Sequence, residues 1–101
     1  MVFEIIIKPI VFLDVEEAVI YYDKKLKGLG NRFYNNFITS LNEIEINPHN
    51  YSYIKNPVRK HIIKKFPYKI YYIATVDKII VIGVSHAKRS NTYIKRRLKL
   101  L

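Results

Sequence analysis

The chain has 101 residues, half of them hydrophobic and 14% aromatic, which suffices for a single domain spanning 1–101 with a buried core and excludes a second. It contains no cysteine, so disulfides, thiolate catalysis and cysteine-based zinc sites are excluded together. Net charge is +10 and unevenly spread: residues 1–50 hold five Lys/Arg against seven Asp/Glu, whereas residues 51–101 hold thirteen against one, Asp77. A half-domain with almost no acid carries a positive potential that draws a polyanion or an acidic protein.

The first element, "VFEIIIK" (2–8), is rich in β-branched residues and is stopped by Pro9, which predicts a strand. No basic region precedes this apolar run and no small-residue cleavage site follows it, so it does not read as a signal peptide. Runs such as "IIVIGV" are too short to cross a bilayer, and the expected setting is cytoplasmic with no membrane partner. Next, Asp14 with Glu17 three residues on has a capping-box arrangement and predicts the start of a helix. Val15, Ala18, Val19, Tyr22 and Leu26 form its apolar face, and Gly28 and Gly30 end it. A second helix is expected from about Asn31 to Ile46, with Phe33, Phe37, Leu41 and Ile44 on one side. The two should form an antiparallel hairpin that needs a sheet to cover.

The second half supplies that sheet. Pro48 and Asn50 break the chain, and "YSYIK" (51–55) predicts a short strand. Strands at 58–65, 68–76 and 79–87 follow, separated by turns at Asn56–Pro57 and around Asp77. The last, apolar nearly throughout, should be covered on both faces. From Ser90, "SNTYIKRRLKLL" predicts a short C-terminal helix or tail. The fold class is therefore α+β: an N-terminal strand, then an antiparallel helical hairpin packed on one face of a small, curved, mainly antiparallel sheet.

Strand alternation places the candidate site. It sends Tyr68, Ile70 and Tyr72 under the helices and leaves Lys69 and Tyr71 on the open face. Arg59 and His61 share one face of the preceding strand and Lys60 the other, while the last strand ends in His86, Lys88 and Arg89, with Tyr93 beyond. Cations, two histidines and tyrosines are thus expected at one side and end of the sheet. Such a surface suits RNA, because cations meet phosphates and aromatic faces stack on unpaired bases. The three histidines are far apart in sequence with no carboxylates beside them, so neither a metal site nor a cofactor is expected.

The run "VRKHIIKKFPYKIYYI" followed by "IIVIGVSHAKRSNTY" resembles the sheet of the RelE/ParE superfamily, the toxins of bacterial type II toxin–antitoxin pairs of the plasmid-stabilisation kind. The earlier "DVEEAVIYYDKKLKGLGNRFYNNFITSLNEIEINP" is similar to the helical hairpin those toxins carry before the sheet. The resemblance implies a growth-inhibiting toxin neutralised by a cognate antitoxin. RelE-like members are metal-independent endoribonucleases that cut mRNA in the ribosome, the RNA's own 2′-OH attacking the adjacent phosphate. On that pattern Lys69, Arg89 and Tyr93 are catalytic candidates and Lys60 fits one of two family lysines that bind RNA. His86 joins the catalytic candidates by its resemblance to the proton-transfer histidine of a different branch of ribonuclease toxins. Arg59, His61, Tyr71 and Lys88 are the phosphate- or RNA-binding candidates that their places on the sheet supply. Ile62 stands where a second family lysine is expected, and no counterpart of the glutamate used by a related branch is evident.

ParE-like members instead poison DNA gyrase by protein binding, and "GLGNRF" with "FPY" looks similar to that branch. A non-toxic module that only binds antitoxin is the third alternative. Blander roles also stand beside each site residue: His86 capping a strand end, Lys69 lying over Tyr71, Tyr93 anchoring the C-terminal segment, and "KRR" (95–97) forming a solvated face.

Overall fold

Pro9 does more than stop a strand. In the computed structural model, which describes residues 2–99, the strand β1 (Glu4–Ile7) is followed at once by helix α1 (Pro9–Lys25) with Pro9 in its first turn. Proline is favoured there, since its missing N–H is one that the first turn leaves unpaired anyway and its φ is already helical. The helix therefore begins six residues earlier than the Asp14–Glu17 pattern predicted, and Lys8, not Asp14, is the N-cap. That correction frees the Asp14 carboxylate for a tertiary role. Leu26, placed on the apolar face by its spacing, lies beyond the helix and is exposed.

Helix α2 (Leu29–Ile46) follows through "GLG", whose two glycines meet different demands. Gly28 turns the chain at φ +88°, a left-handed conformation that costs glycine little. Gly30 lies inside α2 and is buried where the helices meet. A Cβ there would press on the Val19 carbonyl and lie 2.8 Å from the Asp23 carboxyl carbon. Its N–H donates to Asp23 Oδ1 at 2.8 Å. The expected buried stripe of α2 is found at Phe33, Phe37, Leu41 and Ile44.

Four more strands and a helix complete the chain: β2 (Tyr53–Lys55), β3 (Val58–Ile62), β4 (Tyr68–Ala74), β5 (Lys78–His86) and α3 (Thr92–Leu98). They form one five-stranded sheet in the order β1-β5-β4-β3-β2, antiparallel throughout except for the parallel β1–β5 pair. The α+β reading holds. One face carries the helical hairpin over the main core, where Val11, Phe33, Ile44, Ile70, Tyr72, Ile79 and Val81 are fully buried. Tyr72 Oη donates to the Pro48 carbonyl at 2.7 Å, which ties the end of α2 to the sheet's centre, and burial pushes its pKa up to about 12.

The other face is not open. Helix α3 lies on it and builds a second core from Val58, Tyr71, Ile82 and Ile94. β5 is thus covered on both faces, as its apolar run predicted. The bulge at Ile82 shapes this contact, because Tyr71 faces Gly83 while the next residue, Tyr72, faces Val81.

β1 pairs with β5 only from Lys78 to Val81, so the same edge of β5 runs on without a strand partner. Side chains close it instead. Val84 N–H donates to Asp14 Oδ2 at 3.0 Å, Tyr93 Oη shares its one proton between Asp14 Oδ2 and the Val84 carbonyl, at 3.0 and 3.2 Å, and an Arg97 guanidinium nitrogen donates to the Ile82 carbonyl at 3.1 Å. Arg97 also grips both oxygens of Asp14, at 2.5 and 2.7 Å. The three-residue run "KRR" is accordingly not one solvated face, since Arg97 serves the fold.

This closure demands a glycine at position 83, where a Cβ would lie 2.7 Å from Tyr93 Oη and 3.0 Å from Ile94 Cδ1. Neither neighbour is free to move, one being hydrogen-bonded and the other buried. Gly83→Ala should lower the unfolding free energy by about 1–3 kcal/mol, as overpacking does. Urea denaturation measures this, and an unchanged midpoint would show that α3 is not held as close as described.

Candidate functional site

The sequence candidates separate into three groups. His86 and Arg89 come together at the end of β5, on the side of α1. A cavity of about 260 Å³ there is lined by Asp14, Glu17, Tyr21, Tyr68, His86 and Arg89, among others. His86 lies opposite Tyr68 in the β4–β5 register, and their rings meet edge to face at 5.4 Å. The turn that follows fixes the imidazole: Lys88 N–H donates to His86 Nδ1 at 3.1 Å. Nδ1 must therefore be unprotonated in this arrangement, which puts the ring proton of neutral His86 on Nε2. Arg89 stacks its guanidinium on the Tyr93 ring at 4.3 Å and leaves its N–H groups unclaimed by any carboxylate among the described residues. Lys88 itself is exposed on the turn.

Lys69 and Lys60 form the second group, on the α3 side of the sheet. Lys69 Nζ lies 5.6 Å from the Tyr71 ring centre. In register Lys60 faces Tyr71 and Lys69 faces Ile62, so the two lysines are diagonal neighbours on one face. They flank the surface that α3 leaves uncovered. The sheet thus divides Lys69 from His86, although the sequence pattern placed them together, while Arg89 at the sheet's edge lies over Tyr93, whose ring meets Tyr71 at 6.2 Å.

The third group serves the fold. Tyr71 is fully buried beneath α3, with Ser85 Oγ donating to its hydroxyl at 3.2 Å, so it offers no stacking platform. Alternation assigned its face correctly, but the C-terminal helix covers that face. Tyr93 donates to Asp14 Oδ2 at 3.0 Å, and burial together with the adjacent Asp14 charge drives its pKa well above the ordinary tyrosine value. The phenol is thereby held in its protonated form as a donor to Asp14. Arg59 stacks on Tyr53 at 3.9 Å and donates to the Tyr51 carbonyl and Tyr53 Oη, both at 2.7 Å, pinning the edge strand. His61 is 8% exposed, packed on the Tyr51 ring at 4.4 Å and 3.4 Å from Glu43 Oε1. His61 also lines a surface cavity with Lys60, Tyr51 and Ser52.

Glu17 is the cavity residue that sequence reasoning missed. It was assigned to a capping box, yet with α1 beginning at Pro9 it sits in mid-helix, one turn from Tyr21, and lines the same cavity as His86 and Arg89. The spacing Asp14-x-x-Glu17-x-x-x-Tyr21, read as one helix face from Pro9 onward, carried the signal. The cavity therefore holds two carboxylates, of which Asp14 is engaged by Arg97 and Glu17 is exposed, together with an imidazole with a defined tautomer and a guanidinium. That set can accept a proton, donate a hydrogen bond and neutralise a phosphate.

No family model and no curated protein sequence matches this chain. Solved structures do. A chain of the chromosomal ParDE TA system from P. aeruginosa superposes with a TM-score of 0.74 at 7% identity, covering 84% of this chain and 96% of that one. A doubly substituted mutant of E. coli toxin RelE in the free state gives 0.71 at 16% identity over the whole of both chains. The isolated E. coli RelE toxin gives 0.55 at 18% identity, covering 98% of this chain and 99% of that one. This chain has the RelE/ParE-like fold. The helical hairpin packed on one face of a mainly antiparallel sheet is what the quoted sequence runs led us to expect.

His61 yields a pH test. Burial lowers its pKa, and the nearby Glu43 carboxylate only partly offsets this. The unfolded chain, with its histidine near pH 6.5, therefore binds more protons as the pH falls below that value. Stability should decline from pH 7 towards pH 5, and His61→Phe should flatten this decline in thermal melts. A wild-type Tm that is constant or rising over that window would contradict the neutral, buried assignment.

Proposed function

We propose that this protein is the toxin of a toxin–antitoxin pair and cuts mRNA in the ribosome by metal-independent transesterification. The observation that carries the reading is the cavity at the end of β5, where Glu17, His86 and Arg89 line one space. The RelE/ParE-like fold supports the toxin assignment and, with it, a cognate antitoxin as partner and the cytoplasm as the place of action. The thirteen Lys/Arg of residues 51–101 supply the attraction for RNA.

In this reading Glu17 accepts the proton of the RNA 2′-OH as that oxygen bonds to the adjacent phosphorus. The bond from phosphorus to the 5′-oxygen of the next nucleotide then breaks. This leaves a 2′,3′-cyclic phosphate and a 5′-hydroxyl whose proton comes from water. Arg89 neutralises the charge that gathers on the non-bridging oxygens, and His86 donates a hydrogen bond from Nε2 to the same group. Histidine is cast as a donor because Nδ1 is occupied by Lys88 N–H, so forming the imidazolium would break that bond. Lys88, exposed on the turn, attracts the neighbouring phosphate, and Lys60 and Lys69 meet RNA that continues round the sheet to its α3 side. Tyr93 takes no part in proton transfer; it supports Arg89 from below.

Gyrase poisoning is the second reading. It is favoured by the ParDE chain's TM-score of 0.74, and it would require none of the three cavity residues to act on a substrate. One preparation assayed in a translation reaction and in a supercoiling reaction separates the two. The ribonuclease reading expects mRNA cleavage in the presence of ribosomes. Arg89→Ala and Glu17→Gln should each cut the rate by about 10²-fold or more, with the circular dichroism spectrum unchanged. His86→Gln, which keeps a donor, should retain more activity than His86→Ala. Intact mRNA on programmed ribosomes together with blocked supercoiling would transfer the assignment to gyrase.

A further inference from the structure

A second, larger cavity lies on the helical side of the molecule, between α2 and the turn that joins β3 to β4. Its volume is about 510 Å³, and it is lined by Tyr22, Leu29, Arg32, Asn35, Asn36, Lys65, Phe66 and Pro67. None of the sequence candidates lies in it. Three observations make it more than a surface dent.

The first is charge. Arg32 from α2 and Lys65 from the turn line the same space, both are exposed, and neither has a carboxylate partner among the described residues. Two unpaired cations that share a concavity repel each other, and an anion between them removes that cost.

The second is backbone strain. Lys65 has φ +70°, and it is the non-glycine residue with positive φ among those described. A left-handed lysine is disfavoured relative to glycine, since its Cβ crowds the carbonyl. The turn is nevertheless held: Asn36 Nδ2 donates to the Lys64 carbonyl at 3.2 Å, and Tyr68 N–H donates to the Phe66 carbonyl at 2.8 Å. A strained residue kept in place by its surroundings, with its charged side chain at a cavity, is a common signature of a binding site.

The third is the wall. Phe66 and Tyr22 meet edge to face at 4.9 Å and are each 9% exposed, with the Pro67 ring beside them, while Asn35 and Asn36 add side-chain amides. The exposed Pro67 ring, backed by these two buried rings, can take the face of a base, an amide reads its edge, and paired cations take a phosphate.

We infer that this cavity binds one nucleoside monophosphate unit, its phosphate between Arg32 and Lys65 and its base against the Pro67 ring that Phe66 backs. An acidic peptide is the rival anion, but the cavity presents a helix and a tight turn and no unpaired strand edge for a peptide backbone to join. The choice of a nucleotide agrees with the ribonuclease reading, while the binding itself does not depend on cleavage. A chain that fails to cut mRNA yet binds nucleotide here would overturn only that reading.

The test is an amide-resolved NMR titration of the intact protein with adenosine 5′-monophosphate, an RNA hexamer, inorganic phosphate and a glutamate-rich hexapeptide. The nucleotide and the hexamer should shift the amides of residues 32, 35, 36, 65 and 66, and both should bind more tightly than inorganic phosphate. Tighter binding of the hexamer identifies a polynucleotide as the source of the unit, and tighter binding of the monophosphate identifies a free nucleotide. Arg32→Ala should weaken nucleotide binding about tenfold, the loss expected of one charge-assisted contact. Lys65→Gly is the decisive variant. It removes the cation and also relieves the strained φ, so affinity should fall while Tm stays at or above the wild-type value. Phosphate binding as tightly as the nucleotide would overturn the assignment, as would peptide-only binding or shifts confined to other residues.

Discussion

Asp14 is the residue on which the rest of this structure turns. β1 is too short to cover the whole edge of β5, and the backbone groups left beyond Val81 must find partners or remain in water. Asp14 accepts from Val84 N–H, Tyr93 Oη and both terminal nitrogens of Arg97, so a single carboxylate joins α1, β5 and α3. The Asp14 and Arg97 side chains are only 10% and 12% exposed. At such depth the pair is worth little beyond what a well-packed apolar pair would give, but removing one partner alone costs about 3–5 kcal/mol. Its value is geometric, since it fixes where α3 lies and so which residues of the second core are covered.

The same constraint shapes the candidate site. Arg89 is stacked on Tyr93, and Tyr93 is anchored by Asp14, so the guanidinium at the mouth of the β5 cavity is positioned through the closure below it. Arg97, on the other side of the Tyr93 ring at 4.4 Å, is neutralised by Asp14, whereas Arg89 is not. Two arginines over one tyrosine thus have opposite fates: one is consumed by the fold, and the other has no carboxylate partner among the described residues. The charge asymmetry of the sequence has the same origin. Acids are concentrated in the helices, and the strands and turns of the second half carry cations that find almost no internal partner.

Much of the architecture was legible because the periodicities are strong. The α2 stripe of Phe33, Phe37, Leu41 and Ile44 and the alternation of Tyr68, Ile70 and Tyr72 both point at the main core, and both are buried there. Two misreadings share one cause. Taking Asp14 and Glu17 as a cap required α1 to start late, and this hid both the Asp14 closure and the presence of Glu17 beside His86. Local helix signals cannot reveal a carboxylate whose partners are some 70 to 83 residues away, as Val84 and Arg97 are from Asp14. Tyr71 failed differently: its face was assigned correctly, but a seven-residue helix with three basic residues gave little sign that Ile94 would bury it. His61 and Arg59 were read as surface groups because strand alternation does not reveal the loop residue Tyr51 that packs beside them.

Amide hydrogen exchange at Val84 tests the central claim most directly, since that N–H has Asp14 as its partner on the edge of β5 that β1 leaves unpaired. In the wild-type chain it should be protected to a degree comparable with Ile80, which lies in the β1–β5 pairing. In Asp14→Ala, Val84 should lose protection selectively while Ile80 keeps it, and the amides of α3 should open with Val84. Undiminished protection of Val84 in that variant would mean that the β5 edge is closed by something other than Asp14, and the account of how α3 and Arg89 are held would be wrong.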